Sequence, residues 1–498
     1  MNDPSAPLWN PQPSTSKPRS IDGTHVDVAI IGAGITGLTA ATLLRERGRS
    51  VAIIEDKGVA NGETGHTTAH ITEAIDARFH AVKKRFGIAG AIVVARSLRA
   101  AIDAIEERVT KGSIDCGFRR LPGYLFTEQR GRIAPLKNEA AAAKEAGVAA
   151  SFAAQVPLPF PTRGAVRFEN QAQFHPVAYV EALASQLRDA LFPGVHVTSI
   201  EDGEPCVVET SAGRMTAASV FVATNAPLND VFATGLKIAA YRSYALAAPW
   251  TGAQPDGLFW DTDDPYHYVR WHGDMVIVGG EDHKVGQERK TSDCFERLET
   301  WMAPRMPGLE PQNRWSGQII EPSDGLPFIG LQAGKSHVYL ATGFAGQGMT
   351  FGTWGAMLVS DLITGAKSEL SESAAELFSP SRMALSKETL RENTDYPKEI
   401  VRDKLRLNVE TKRLIDVKSG QGRIVSVEGR KLAVARDDAG TLHALKPACT
   451  HLGCDVAWNQ AEVSWDCPCH GSRFATDGKV LNGPATKPLL VVDLDEEA

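Results

Sequence analysis

Two short loops near the C-terminal end constrain this chain more than anything else in it. They read Cys449-Thr450-His451-Leu452-Gly453-Cys454 and Cys467-Pro468-Cys469-His470-Gly471-Ser472. Four of the seven cysteines fall within 21 residues and alternate with two histidines. Such clustering points to an inorganic cofactor. A [2Fe–2S] cluster held by two thiolates on one iron and two neutral imidazoles on the other needs one Cys and one His from each loop. Zinc competes for the same residue types. However, a C-x-H loop paired with C-x-x-H, with fifteen residues between His451 and Cys467 and a following Gly-Ser, departs from zinc ribbons. Cys116, Cys206 and Cys294 are scattered and read as buried or incidental thiols.

The opposite end carries a second constraint. VDVAII (26–31) is a short β-branched run that reads as a buried parallel strand. Gly32-Ala33-Gly34-Ile35-Thr36-Gly37 follows it and opens a helix over about 35–47, ended by Gly48. VAIIE (51–55) is the next strand, and Glu55 closes it. Strand, glycine turn, helix and terminal acid together give the context that a dinucleotide fingerprint requires. Gly32 permits the tight turn, and Gly34 lets a pyrophosphate approach the helix N-terminus. Gly37 allows close helix–strand packing, and Glu55, followed by Asp56, accepts from a ribose hydroxyl.

Between these ends the pattern is mixed. Helices are expected over 86–110, 136–147, 175–191 and 349–365, and strands over 195–201, 215–224 and 337–342. From 238 to 320, strand-like runs suggest an antiparallel sheet in a second lobe. Short strands at close spacing after residue 407 indicate a small all-β module. The expected class is therefore α/β plus all-β: a Rossmann-like dinucleotide domain with an antiparallel substrate lobe, then a β-sandwich. The expected units are an arm (1–24), an oxidoreductase body (25–370), a linker (371–406) with a helical second half, and the C-terminal domain (407–498). Within the body, cofactor segments fall at about 25–100, 165–230 and 320–370, and the lobe at about 101–164 and 231–319.

The C-terminal loops closely resemble those of Rieske proteins of the cytochrome bc complexes, over about residues 407–495. The resemblance implies Cys449, His451, Cys467 and His470 as ligands of a [2Fe–2S] cluster, and a disulfide between Cys454 and Cys469. It implies that Gly483-Pro484-Ala485 covers the cluster, and that Ser472 bonds a bridging sulfide. Phe474 stands where high-potential members carry a tyrosine.

DGLPFIG (324–330), ATGFAGQGMTFG (341–352) and FVATNAP (221–227) resemble the D-amino-acid-oxidase-like superfamily, glycine and sarcosine oxidases included, over about residues 26–370. This implies FAD. Gly343, Gly346, Gln347, Gly348, Met349 and Thr350 would then line the flavin with Thr224 and Asn225, and Val197 would lie near the adenine. The loop 61–72, with Thr64, His66, Thr67 and Thr68, would pass under the isoalloxazine. His66 matches in position a histidine bonded covalently to FAD in dimethylglycine- and sarcosine-dehydrogenase-like relatives; a loop histidine hydrogen-bonded near the flavin is the other reading. His66 and Gln347 are candidate catalytic residues, with Arg270 as a clamp for a substrate carboxylate and Tyr268 as a substrate donor.

The expected activity is oxidation of a C–N bond in an amine or amino acid by hydride transfer to flavin. Electrons would then pass through the cluster to an external acceptor, a protein or a quinone. An oxygen-using oxidase with a structural or regulatory Rieske domain is the first alternative. An NAD(P)H-dependent reductase is the second, disfavoured by the lack of another GxGxxG. A net charge of −7 argues against nucleic acid as a partner. There is no apolar run of membrane-spanning length and no leader-like N-terminus, so a cytoplasmic location is expected.

Losing the tyrosine hydroxyl at position 474 removes a hydrogen bond that would favour the reduced, more negative cluster. Phe474→Tyr should raise the cluster potential, read by an EPR-monitored redox titration; an unmoved midpoint would reject this assignment.

Overall fold

The computed structural model describes residues 6–15, 17–228, 234–383, 417–427 and 429–493. The strand His25–Ile31 is buried along most of its length, as a parallel strand covered on both faces must be. It pairs in parallel with Val51–Glu55 and with Gly213–Val222, so that Ile31 lies opposite both Ile54 and Val222. Val338–Thr342 and Leu191–Pro193 extend the parallel set, and Phe328–Leu331 adds an antiparallel edge. The helices Ile35–Glu46, Phe79–Gly112 and Gly348–Thr364 pack against one another beside this sheet. The longest of them buries Val94, Leu98, Ala101, Ile102 and Ile105, the spacing of one helical face.

The second lobe is a nine-stranded sheet, antiparallel except where Leu258–Trp260 runs parallel to Arg119–Thr127. Its long strands Ile238–Pro249, Met275–Lys284 and Asn313–Pro322 lie side by side. One edge of this sheet is His70–Ile71, which comes from the loop following the first βαβ unit. The C-terminal module has a three-stranded sheet (421–436 and 442–445) and a four-stranded sheet. The latter is formed by Ala457–Asn459, Ser464–Asp466, Arg473–Phe474 and Val480–Asn482. A Cys454–Cys469 disulfide joins its two cysteine–histidine loops. The expected α/β plus all-β architecture is therefore found.

Two expectations need correction. The helix expected over 175–191 covers only Pro176–Ser185. After a turn, Leu191–Pro193 becomes a parallel strand against Ile53–Glu55, because an open edge of the central sheet outweighs helical periodicity in an apolar segment. The polar stretch expected as linker from residue 371 begins instead with a helix, Glu369–Leu377, started by a Ser368–Ser371 capping box and packed on Phe79–Gly112. The expected helical second half of that stretch lies outside the described residues.

Just beyond that helix, Arg382 donates two hydrogen bonds of 2.8 Å to Asp324, whose side chain is 1% exposed. It also reaches the carbonyls of Leu326 and Pro327 and stacks on Phe328. The N-terminal arm is similarly anchored. Trp9 is buried, donates to the Thr67 carbonyl, and lies edge-on to His175 and His272. Among the described residues no helix is long and apolar enough to cross a membrane.

Removing one partner of a buried ion pair leaves the other charge unpaired, which costs about 3 kcal/mol. Arg382→Met should therefore lower the urea midpoint of the body, followed by tryptophan fluorescence. An unchanged midpoint would show that residues 378–383 contribute nothing to the fold.

Candidate functional site

The first βαβ turn is built for a phosphate ester. Gly32 adopts φ +107°, and a Cβ there would sit 2.6 Å from the Ala223 carbonyl oxygen. At Gly37 a Cβ would lie 1.9 Å from the Gly32 oxygen, so Gly37 serves packing and does not line the cavity. Gly34 caps the helix with no side-chain acceptor, while Thr64 accepts from the Ile35 N–H at 3.1 Å. Glu55 takes the Ala33 N–H on one oxygen and the Lys57 N–H on the other, both at 2.8 Å. Burial raises its pKa, and these backbone donors oppose that rise.

A long cavity runs from this turn towards the second lobe. At one end it is bounded by Glu55, Asp56, His196 and Val197, and in its middle by Gly32, Gly34, Ile35, Thr36 and Thr64. At the far end it meets His66, Thr67 and Thr68 on one wall, and Thr224, Asn225, Gly346, Gln347, Gly348 and Met349 on another. Asn225 has a buried Nδ2 with no acceptor among the described residues, a donor available to a cofactor atom. Gln347 reaches the Ala74 carbonyl and Thr72, which fixes the late glycine loop on the histidine loop. Gly343 and Thr350 lie behind this wall; Thr350 accepts from the Thr72 N–H and so supports the loop from outside the cavity. The donors and glycines lining this cavity fit FAD.

A chamber opens beyond the flavin end, lined by Asp76, Ser243, Trp260, Tyr266 and Tyr268. Asp76 accepts the Gly346 N–H at 2.8 Å. Ser243 stands 3.0 Å from the Tyr268 hydroxyl and also bonds Asp282. Burial pushes Asp282 up to about 7, although the Ser243 hydrogen bond pulls the other way. Burial brings His70 down to about 3, so it stays neutral. Tyr268 lines the cavity.

Arg270 does not. It is fully buried and donates to the carbonyls of Thr68, Ala69 and Phe174, with its guanidinium over Trp9. It braces the histidine loop through these carbonyls. Among the described residues Lys57, at the nucleotide end, is the only lysine or arginine that lines the cavity. Asp76 and Glu63 could have been suspected from their place in and beside the 61–72 loop. Nothing in sequence marked Ser243, Tyr266 or Gln318.

In the C-terminal module the Cys449 and Cys467 thiols are hydrogen-bonded to each other. The rings of His451 and His470 pack edge to face with centroids 5.0 Å apart. Thiols pair with thiols and imidazoles with imidazoles, as a [2Fe–2S] cluster with two ligands of each kind requires. Both nitrogens of His451 are buried without a hydrogen-bond partner. Burial lowers the pKa of His451, and burial with the neighbouring His451 brings His470 down to about 4, so both rings are neutral. Ser472 is fully buried and its Oγ accepts the Ala485 N–H at 3.0 Å. The ligand set fits the cluster.

The two sites adjoin. Gln318 lines the cavity, and its Nε2 donates to the Gly471 carbonyl at 2.7 Å, one residue from His470. Glu63 accepts the Gln318 N–H on one carboxylate oxygen and the Asn482 amide on the other. Arg242 is 2.5 Å from Glu462, which Arg473 also holds at 3.1 Å.

Comparison with known proteins agrees with this geometry. Residues 27–362 match the family model described as FAD dependent oxidoreductase, and residues 409–493 match the Rieske [2Fe-2S] domain. The chain is 34% identical to the putative Rieske 2Fe-2S iron-sulfur protein YhfW of Bacillus subtilis, over 96% of both chains. It is 24% identical to gamma-glutamylputrescine oxidoreductase of Escherichia coli, over 68% of this chain and 84% of that protein. Glycine oxidase from Geobacillus kaustophilus shares the fold of the body, with a TM-score of 0.61 at 18% identity over 72% of this chain and 99% of the other. Taken together with the paired thiols, the paired imidazoles and the dinucleotide cavity, these matches place the chain in the FAD dependent oxidoreductase family, with a Rieske [2Fe-2S] domain at its C-terminal side.

Proposed function

We propose that this protein is an amine dehydrogenase that oxidises a C–N bond and passes the electrons through its own Rieske domain to an external one-electron acceptor. Bound FAD supplies the hydride acceptor and the [2Fe–2S] cluster a one-electron carrier. One observation carries the reading: Gln318 borders the flavin cavity and hydrogen-bonds the backbone beside cluster ligand His470. Cofactor and cluster are thus served by a single side chain rather than by separate surfaces.

The chamber favours a cationic amine over an amino acid recognised by its carboxylate. Asp76 lies on its wall and Asp282 just behind Ser243, whereas Arg270 and Arg242 are committed to backbone carbonyls and to Glu462. Burial raises the pKa of both carboxylates, Arg78 only partly offsetting this at Asp76, so each gains from an incoming ammonium. Tyr268 and Ser243 can orient the amine nitrogen, and neutral His70 adds no competing positive charge. The similarity to gamma-glutamylputrescine oxidoreductase supports an amine. His66, with its Nδ1 held 2.9 Å from the Gly62 carbonyl, is a flavin-wall residue. A cytoplasmic site of action completes the proposal.

Anaerobic addition of diamines, N-methyl amines and amino acids should bleach the flavin only with the amines. Cluster reduction should follow in a second phase, seen by EPR. A cluster that stays oxidised through turnover would overturn the electron route, and bleaching by amino acids alone would overturn the substrate class. Gln318→Leu should slow the second phase about tenfold, as loss of a partner next to a metal ligand does, while leaving the first phase intact. Equal slowing of both phases would assign Gln318 to flavin binding alone.

A further inference from the structure

We infer that the Rieske domain is the lid of the dinucleotide site, closing over the adenosine diphosphate half of FAD. This rests on FAD occupying the cavity and is independent of the proposed substrate.

The last strand of the four-stranded sheet, Val480–Asn482, and the turn after it belong to the cavity wall. They face the segment carrying Glu55, Asp56 and Lys57, the acidic strand end that recognises a ribose. Three hydrogen bonds fix this contact. Lys57 Nζ donates to the Leu481 carbonyl at 2.5 Å, His196 bonds the Thr486 carbonyl at 2.8 Å, and Asn482 donates to Glu63 at 2.9 Å. All three body residues line the same cavity.

The turn at Gly483–Ala485 has two faces. On one side Gly483 and Ala485 border the cavity. On the other, the Ala485 N–H is bonded to Ser472 of the cluster loop. The segment that covers the cluster therefore also covers the nucleotide.

A second anchor adjoins the first outside the cavity lining, and Arg473 joins the two by donating to Asn482 at 3.2 Å. Arg242 is 3% exposed and pairs with Glu462, while Arg473, 5% exposed, holds Glu462 and Asp466. Backbone approach there is close: a Cβ on Gly471 would lie 2.1 Å from the Ala240 Cβ, and one on Gly286 2.7 Å from the Pro468 nitrogen. Desolvated charges and glycine-only contacts belong to a fitted interface. A ligand that contacts both bodies stabilises their docked arrangement, and by linkage docking retains the ligand.

The test uses the full-length holoenzyme and a phosphodiesterase that splits FAD at its pyrophosphate, with AMP release read by chromatography. This readout serves whether or not the flavin is covalently attached. Asn482→Ala removes a lid contact, and Glu462→Gln weakens the adjoining anchor at a residue outside the cavity lining. Visible circular dichroism of the cluster reports whether the Rieske domain remains folded. Wild-type protein should resist cleavage, and both variants should release AMP about tenfold faster with cluster signals intact. Wild-type rates in both variants, or wild-type cleavage as fast as that of free FAD, would overturn the inference. If Glu462→Gln loses its cluster, Asn482→Ala alone decides.

Discussion

The carboxylate of Glu63 holds the molecule's three parts in register. It sits in the first turn after the loop that follows the βαβ unit. One oxygen takes the backbone of Gln318 in the second lobe, and the other takes Asn482 in the Rieske domain. Charge-assisted hydrogen bonds are stronger and more directional than neutral ones. A carboxylate at the meeting point of three chain segments therefore fixes distances that apolar packing alone would leave loose.

Charge is distributed unevenly around that point. The interface between body and Rieske domain has its arginines, Arg242 and Arg473, tied to Glu462 and Asp466. The chamber keeps carboxylates, with burial raising both Asp76 and Asp282. Paired buried charges define geometry at modest net stabilisation, whereas an acid whose charge is disfavoured by burial is poised for a ligand that brings a cation. Structure and recognition thus use the same residue types under different degrees of pairing.

Sequence reading reached what local chemistry dictates. The glycines of the first turn, Glu55 and the two cysteine–histidine loops announce themselves, because each job admits few residue types at fixed spacing. The cavity walls formed by Thr64, His66 and Gly346–Met349 were legible through family resemblance. Arg270 was misjudged because a strand arginine looks the same whether it faces a substrate or three carbonyls; only the tertiary position of the 68–69 backbone decides. Gln318, Ser243 and the contribution of Val480–Gly483 were invisible, since each depends on segments far apart in sequence. The strand at Leu191–Pro193 was hidden for a related reason: a free sheet edge, not local periodicity, determines its form.

Trp9 has a consequence for how the chain is made. Its ring is seated among His175, Arg270 and His272, and its indole N–H holds the Thr67 carbonyl of the loop under the flavin wall. Residues near position 9 leave the ribosome long before those that receive them. Contacts of such large sequence separation form late, since loop closure must precede them. A segment made before its partners is thus among the last to settle.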